Sequence, residues 1–381
     1  MVESVERSKR TLLSETGQSA PVTDLERVAP VASDSTGAHA AFPPEILCRG
    51  IKPLDLRFLL RGMQVGHFDQ PDSLVMSRGV LGTSIDSMRP LKRNRPVTNV
   101  ALLPDGSFQG FVQFRRGLLD RRWVLTALGT RRDCPDGSRI ATSLLEYSVA
   151  RAGSRGTKRL FARVPVDSED RELLIRTGFE AFIDETVLRA GNLDGRRSTP
   201  RNGRIRLQDR NDTWAVHQLY SASAPRHVQF AEAWTSQRWE VRTGFRAGDS
   251  QSWVLEDGFQ LAAWARVRRA GNAASLEFMF LPDYASELGG FVTDVLARVR
   301  QHAGVKQVFV AARGYQAELT SQLLDAGFVI VGTQDVMIKY TAAKVTAKAV
   351  DFVPAAVAEA RERVPQRVPT YLNGNAREEP T

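Results

Sequence analysis

Between residues 41 and 341 the chain alternates short apolar runs of strand period with longer stretches of helical period, and it does so twice. In the first half, VTNVALL and SFQGFVQF flank Asp105-Gly106. An Asp-Gly between two alternating apolar runs predicts a hairpin whose two central residues both take positive φ. A strand follows over Trp123–Gly129, then a helix over Ser138–Arg151 with Ile140, Leu144, Leu145 and either Tyr147 or Ser148 inward. Next come a strand over Lys158–Val164, a short helix over Arg171–Thr177, and Gly178-Phe179 opening a last strand, FEAFIDETVLRA.

The second half repeats that order. Asp257-Gly258 joins SWVLE to FQLAAWARVRR, and SLEFMFL (Ser275–Leu281) is the next strand. A helix over Ser286–His302 carries Leu288, Phe291, Val295, Leu296 and Val299 on one side; KQVFVAA follows, then a helix over Gln316–Ala326. Gly327-Phe328 opens the final strand, FVIVGTQDVMIKY. Asp105 precedes Gly178 by 73 residues and Asp257 precedes Gly327 by 70, with the halves offset by about 150. Glycine at each helix end fits a left-handed cap, and the aromatic after it fits the start of a buried strand. The pattern predicts a tandem duplication.

Residues 1–40 have little apolar periodicity and are expected to be disordered, because they offer too little burial to offset chain entropy. Gly191–Gly203 (GNLDGRRSTPRNG) has the composition of a linker. Residues 342–381, with Pro354, Pro365, Pro369 and Pro380, read as a Pro/Ala-rich tail. The repeats are thus expected at 41–190 and 204–341. Hydrophobic residues make up 42% and charged residues 25%, which suits a globular chain and excludes collagen-like and disulfide-scaffold classes. No apolar run reaches membrane-spanning length, and the first residues show no apolar signal core, so no membrane partner and a cytoplasmic setting are expected. The net charge of +9 admits a polyanion partner such as nucleic acid, but 44 of the 52 basic residues are arginines spread along the whole chain. The charge therefore argues for association more than for any one ligand.

Hairpin, strand, long helix, strand, helix, Gly-Phe, strand resembles the GNAT acyltransferase fold. The likeness rests on the two endings, LLIRTGFEAFIDETVLRA (173–190) and LLDAGFVIVGTQDVMIKY (323–340), on the Asp-Gly hairpins, and on the helix after each middle strand. It implies an α/β protein of two tandem GNAT-like domains, each a mixed, splayed sheet flanked by helices. In that family acetyl-CoA lies where the sheet opens between its fourth and fifth strands, with its pyrophosphate on the amides that begin the next helix, where unpaired donors and the positive dipole end favour an anion.

The family's Q/R-x-x-G-x-G/A loop maps onto Asp136, Arg139 and Ala141 in the first half and onto Glu287, Gly290 and Val292 in the second. Only Ala141 and Gly290 match. The resemblance thus implies Arg139, Ile140, Ala141, Thr142 and Gly290 as cofactor-binding positions. The family's strand glutamate, the base for the acceptor ammonium, maps onto Glu277, and the first half has Thr126 there. The family's tyrosine acid maps onto Leu174 and Leu323 and is missing.

The five histidines show no metal-ligand spacing, so no metal is expected. His227 reads as a surface or capping residue, with a base or substrate contact as the alternative. Cys134 has no legible base partner, and Cys48 reads as a small core residue. Trp214, Trp234, Trp239, Trp253 and Trp264 read as core packing or, alternatively, as an aromatic wall of a substrate cleft. Arg266, Arg268 and Arg269 are expected at a solvated strand end, with a phosphate site as the alternative. The implied function is acyl-CoA-dependent transfer, of acetyl above all, to a primary amine on a small molecule or peptide, without a covalent enzyme intermediate. The alternatives are a non-catalytic tandem scaffold and a Fem-like transferase fed by aminoacyl-tRNA.

Overall fold

The computed structural model describes residues 45–59, 62–69, 71, 75, 79–89, 95–117, 122–191, 204–241, 250–301 and 304–341. The expected tails, 1–40 and 342–381, and all of the expected linker but Gly191 lie outside the described residues. The first half comprises β1 (Leu47–Gly50), β2 (Met63–His67), α1 (Gly79–Met88), β3 (Val97–Leu102), β4 (Phe108–Arg116), β5 (Arg122–Arg131), α2 (Gly137–Ser154), β6 (Arg159–Pro165), α3 (Glu169–Arg176) and β7 (Glu180–Ala190). The second comprises β8 (Arg204–Leu207), α4 (Asp212–Ser223), α5 (Arg226–Glu232), β9 (Ser250–Asp257), β10 (Gln260–Ala270), β11 (Ala273–Phe280), α6 (Leu288–Arg300), β12 (Gln307–Arg313), α7 (Ala317–Asp325) and β13 (Val329–Tyr340).

Local chemistry explains the repeated joints. At the end of α3, Gly178 has φ 79°. Its N–H reaches the Ile175 carbonyl at 2.8 Å, while Phe179 N–H reaches Leu174 O at 3.0 Å. At the end of α7, Gly327 has φ 89°, and the same two bonds run to Leu324 and Leu323 at 2.9 and 3.0 Å. This is the paired 6→1 and 5→2 bonding of a Schellman cap, and it delivers Phe179 and Phe328 buried into the core.

The hairpins differ from the expected form, because only the glycines, Gly106 and Gly258, take positive φ. In the first, Pro104 presets an ordinary turn closed by Gly106 N–H to Leu103 O at 2.9 Å. In the second, Asp257 pairs with Gln260, so the loop is Gly258-Phe259 with the glycine first. On α2 it is Ser148 that turns inward, tolerated because Asn99 Nδ2 donates to its hydroxyl at 2.7 Å. The helix expected from Ser286 begins at Leu288, after a short 3-10 turn over Pro282–Glu287.

The strands form one sheet in the order β1-β3-β4-β5-β6-β13-β7-β12-β11-β10-β9-β8, with β2 pairing β5 off that path. The halves exchange their last strands. β13 of the second half lies antiparallel to β6 of the first, with Arg159 opposite Tyr340 and Val164 opposite Asp335. β7 of the first half lies antiparallel to β12 of the second, with Val308 opposite Ala190 and Arg313 opposite Glu185. β7 and β13 then pair with each other, Glu185 opposite Gln334 and Asp184 opposite Asp335. The cores follow the strands: Met337 packs with Leu125, Leu144 and Leu160 of the first half, and Leu188 and Ala190 pack with Leu276, Phe291 and Val310 of the second.

Neither half closes its core alone, so the chain is expected to unfold in one step. Trp123, the first half's one tryptophan, should report the same urea midpoint as far-UV circular dichroism. Met337→Ala should cost about 2–5 kcal/mol and shift both signals together. Two separated transitions would contradict the exchange as the source of stability.

Candidate functional site

Both halves contain the opening that the GNAT resemblance implies. β5 and β6 run parallel and pair only over Arg122–Val124, opposite Arg159–Phe161. β11 and β12 run parallel and pair only over Ala273–Leu276, opposite Gln307–Val310. Beyond those points each pair separates.

The two openings are filled differently. In the first half β2 takes the vacated edge of β5, with Met63 opposite Arg131 and His67 opposite Ala127. Further bonds continue the ladder at both ends, Phe68 N–H to Thr126 O and Arg132 N–H to Gly62 O, each 3.0 Å. The groove left between β5, the start of α2 and α3 is about 560 Å³ and lined by Glu169, Asp170 and Glu172 together with Arg131, Arg132 and Arg176. Burial raises the Asp170 pKa, and the Glu169 charge raises it further. Arg139 lines a neighbouring depression with Ile46, Leu103 and Asp133. Ile140 and Ala141 are core residues, and the Thr142 hydroxyl donates to Ser138 O at 2.9 Å. The first-half cofactor positions therefore stand beside an edge already paired and a groove of mixed charge. With that edge taken by β2, an extended amide arm has no strand to pair with there.

In the second half no described strand pairs the Glu277–Phe280 edge of β11 on the side that β12 leaves. Gln316, at the start of α7, donates from Nε2 to Phe278 O at 3.0 Å. At the start of α6 no acid lies in the first turn. Gly290 faces open space, since a Cβ there would meet nothing within 4 Å, whereas Gly289 packs against Gln322. Glu287 is exposed and makes no side-chain cap bond. A strand edge without a partner strand, its Phe278 carbonyl taken by Gln316, followed in the chain by a helix start with room at Gly290, leaves space for an extended amide arm and a phosphate.

The exchange of β7 and β13 sets the two openings around one cavity of about 110 Å³. Arg115, Arg122 and Arg163 come to it from the first half, Arg238, Arg268 and Arg313 from the second, together with Glu185, Glu232 and Glu277. Glu185 is buried and binds Arg163 Nε at 2.8 Å and Gln334 Nε2 at 2.8 Å. Arg163 also reaches the buried Asp69 at 2.6 Å, and Arg115 binds the same carboxylate. Glu232 accepts from Arg313 at 2.7 and 3.1 Å and from the Tyr220 hydroxyl at 2.8 Å. Burial works against the charge on Arg313, but the Glu232 carboxylate outweighs it and keeps the guanidinium protonated.

Glu277 points into this cavity, on the face opposite the core residues Leu276, Phe278 and Phe280. Arg238 Nη2 lies 3.4 Å from each of its oxygens and Arg268 Nη2 3.5 Å from one. Burial alone would raise its pKa. Arg238, Arg268, Arg266 and Arg313 together override that and bring it down to about 2. A carboxylate so acidic has little proton affinity to offer as a base. The arginines expected at a solvated strand end are instead inside: Arg266 is 8% exposed, and the Arg268 side chain 18%. The reason is that β10 is an interior strand, flanked by β9 and β11, and that Glu277 stands opposite Arg266 across the ladder.

Of the tryptophans, Trp239, Trp253 and Trp264 are core, Trp214 is 61% exposed, and Trp234 lines the cavity. Trp234 meets the guanidinium carbons of Arg238, Arg313 and Arg122 at 4.9, 5.2 and 5.6 Å from its ring centre. His227 is exposed on α5 and does not line the cavity. Burial pushes the Cys48 thiol up to about 11, which keeps it unreactive. Among the described residues no cluster of His, Cys, Asp and Glu could hold a metal, and no helix is long and apolar enough to cross a membrane. Arg163, Glu185, Glu232, Arg238, Arg313 and Tyr315 were not legible as site residues. The available signal was a lone charge inside an apolar strand run, as in RLFARVP and QVFVAAR.

No protein-family model matches the sequence, and no curated protein does. Solved structures do. The chain is similar to a GCN5-related N-acetyltransferase from Sphaerobacter thermophilus, at 11% identity over 78% of this chain and 96% of that one, with TM-score 0.50. It is also similar to the glucosamine N-acetyltransferase region of a fungal multi-domain GH3 β-N-acetylglucosaminidase, at 11% identity over 78% of this chain and 38% of that one, with TM-score 0.51. At such identity the likeness shows the fold, and the fold is that of the GNAT N-acetyltransferases.

The folded-state pKa of Glu277 lies below its ordinary value of 4.5. Its ionisation therefore stabilises the fold fully above that value, and the contribution is lost as pH falls toward 2. Glu277→Gln should lower stability by about 1–3 kcal/mol at neutral pH. It should also lose less than the wild type between pH 5 and about 2.5, read as the urea midpoint at each pH.

Proposed function

We propose that the chain is an acyl-CoA-dependent N-acyltransferase that works through its second half, passing an acetyl group to a primary amine by direct attack. The observation that carries this reading is the difference between the two openings. The chain's own β2 occupies the first, while the Glu277–Phe280 edge of the second is free of a described strand and borders the shared cavity. Acetyl-CoA would supply an activated thioester there. The backbone of Glu277–Phe280 would pair with its amide arm as it would with an added strand, and the amides at the start of α6, including Gly290, would hold its pyrophosphate.

The chain's own groups then have distinct tasks. Glu277, ionised at every physiological pH, attracts the acceptor ammonium and orients it, and the proton is lost to water. Tyr315 lines the same cavity. Burial raises its pKa, against the opposing charge of Arg313, so its hydroxyl stays protonated. It holds a proton where a departing thiolate would need one, standing in for the tyrosine absent at Leu323. The acceptor is a small molecule or peptide amine.

Calorimetric titration should find one acetyl-CoA site per chain in the micromolar range. Gly290→Glu, which meets no packing clash, should weaken binding by about tenfold or more, or about 1.4 kcal/mol. Arg139→Ala should leave it unchanged. No binding at millimolar acetyl-CoA would favour the scaffold reading, and salt-sensitive RNA binding in its place the aminoacyl-tRNA reading. Because Glu277 stays ionised, the acid limb of kcat/KM should follow the pKa of the acceptor amine and persist in Glu277→Gln, with a lower plateau.

A further inference from the structure

We infer that the shared cavity is an anion-binding site, and that the acceptor amine of the reaction proposed above carries a phosphate or carboxylate group that docks against Arg238 and Trp234. The inference rests on that reading for the word acceptor, and on the cavity alone for the anion.

The first observation is a pair of orphaned donors. The Arg238 Nε and Trp234 Nε1 are both buried and have no hydrogen-bond partner among the described residues. Both residues line the cavity. A buried N–H left unmade costs about 1–3 kcal/mol, so two such donors on residues that line one cavity favour a ligand that accepts. Oxyanions are such ligands.

The second observation is the slack geometry around Glu277. Charge-assisted N–H···O bonds settle at about 2.7–2.9 Å, as Arg313 does on Glu232 at 2.7 Å. Arg238 instead stays 3.4 Å from both Glu277 oxygens and Arg268 stays 3.5 Å away. Arg238, on the cavity wall, is thus held only loosely by this carboxylate.

The third is preorganisation. Arg238 is stacked on Trp234 and Trp239, 4.9 and 5.6 Å from their ring centres, and its carbonyl accepts from Arg266 at 3.4 Å. Trp239 is wholly buried and packs edge-on against Trp264 at 5.3 Å. The Arg238 fork is thus held in place before a ligand arrives, and a planar fork favours a two-oxygen partner. Glu277 lies on the same wall, so a molecule with an anion at one end and an ammonium at the other finds a partner for each.

The test is calorimetric titration of the full chain with inorganic phosphate and, separately, with succinate. We expect saturable binding of at least one probe, one per chain, and the tighter probe tells which oxyanion the site prefers. Arg238→Gln should weaken it by at least about tenfold. Trp234→Phe, which keeps an aromatic ring and removes the N–H, should weaken it by a few-fold while folding normally. Acetyl-CoA binding should be unchanged in both variants. Absence of saturation by either probe at millimolar concentration would overturn the inference, as would equal binding by wild type and both variants. Anion binding without acetyl-CoA binding would leave this site standing and remove the acyl-transfer reading. Acetyl-CoA binding without anion binding would do the reverse.

Discussion

The pairing of β7 with β13 is the constraint on which the rest depends. Each is the final strand of its own half, and each is inserted into the sheet of the other. Apolar burial enforces the arrangement, because Met337 completes one core and Leu188 the other. Withdrawing either strand would open both cores and leave two ladders unpaired. The exchange also fixes the geometry between the halves: it sets the β5–β6 opening and the β11–β12 opening around one cavity that neither half could enclose alone.

That cavity concentrates charge where a sheet face would ordinarily be apolar. Arg163, Glu185 and Arg313 sit on strands whose other face packs in a core, and each is tied to a partner: Arg163 to Asp69 and Glu185, Arg313 to Glu232. Burying such pairs is a weak source of stability, since desolvation offsets most of the attraction. Under the proposed function, their place in the middle of the sheet follows from what they would do for a ligand. They brace the cavity wall beside Arg238 and Glu277. The first half contributes arginines to this wall, and its own opening is closed by β2. In the proposed reaction it would serve as structure and as part of the acceptor site.

Much of the fold was legible because it is local. The Gly178-Phe179 and Gly327-Phe328 caps depend on a residue that tolerates positive φ and an aromatic that follows it, and both can be read from a few letters. The inward faces of α2 and α6 follow from helical period. The strand exchange was not legible, because antiparallel pairing between strands some 150 residues apart leaves no local mark, and FEAFIDETVLRA serves equally well in its own half or the other. β2 was missed because MQVGH is too short and too mixed to show a period. Arg266 and Arg268 were misplaced because charge in a strand usually means solvent. Here the compensating carboxylate, Glu277, stands on the neighbouring strand, where sequence reading does not look.

The most direct measurement is the crystal structure of the full chain with acetyl-CoA bound. The account predicts one cofactor, its amide arm paired to Glu277–Phe280, its pyrophosphate at the start of α6, and its acetyl group at the cavity beside Glu277 and Tyr315. A cofactor found instead between β5 and α3, with β2 displaced from its edge, would contradict the account.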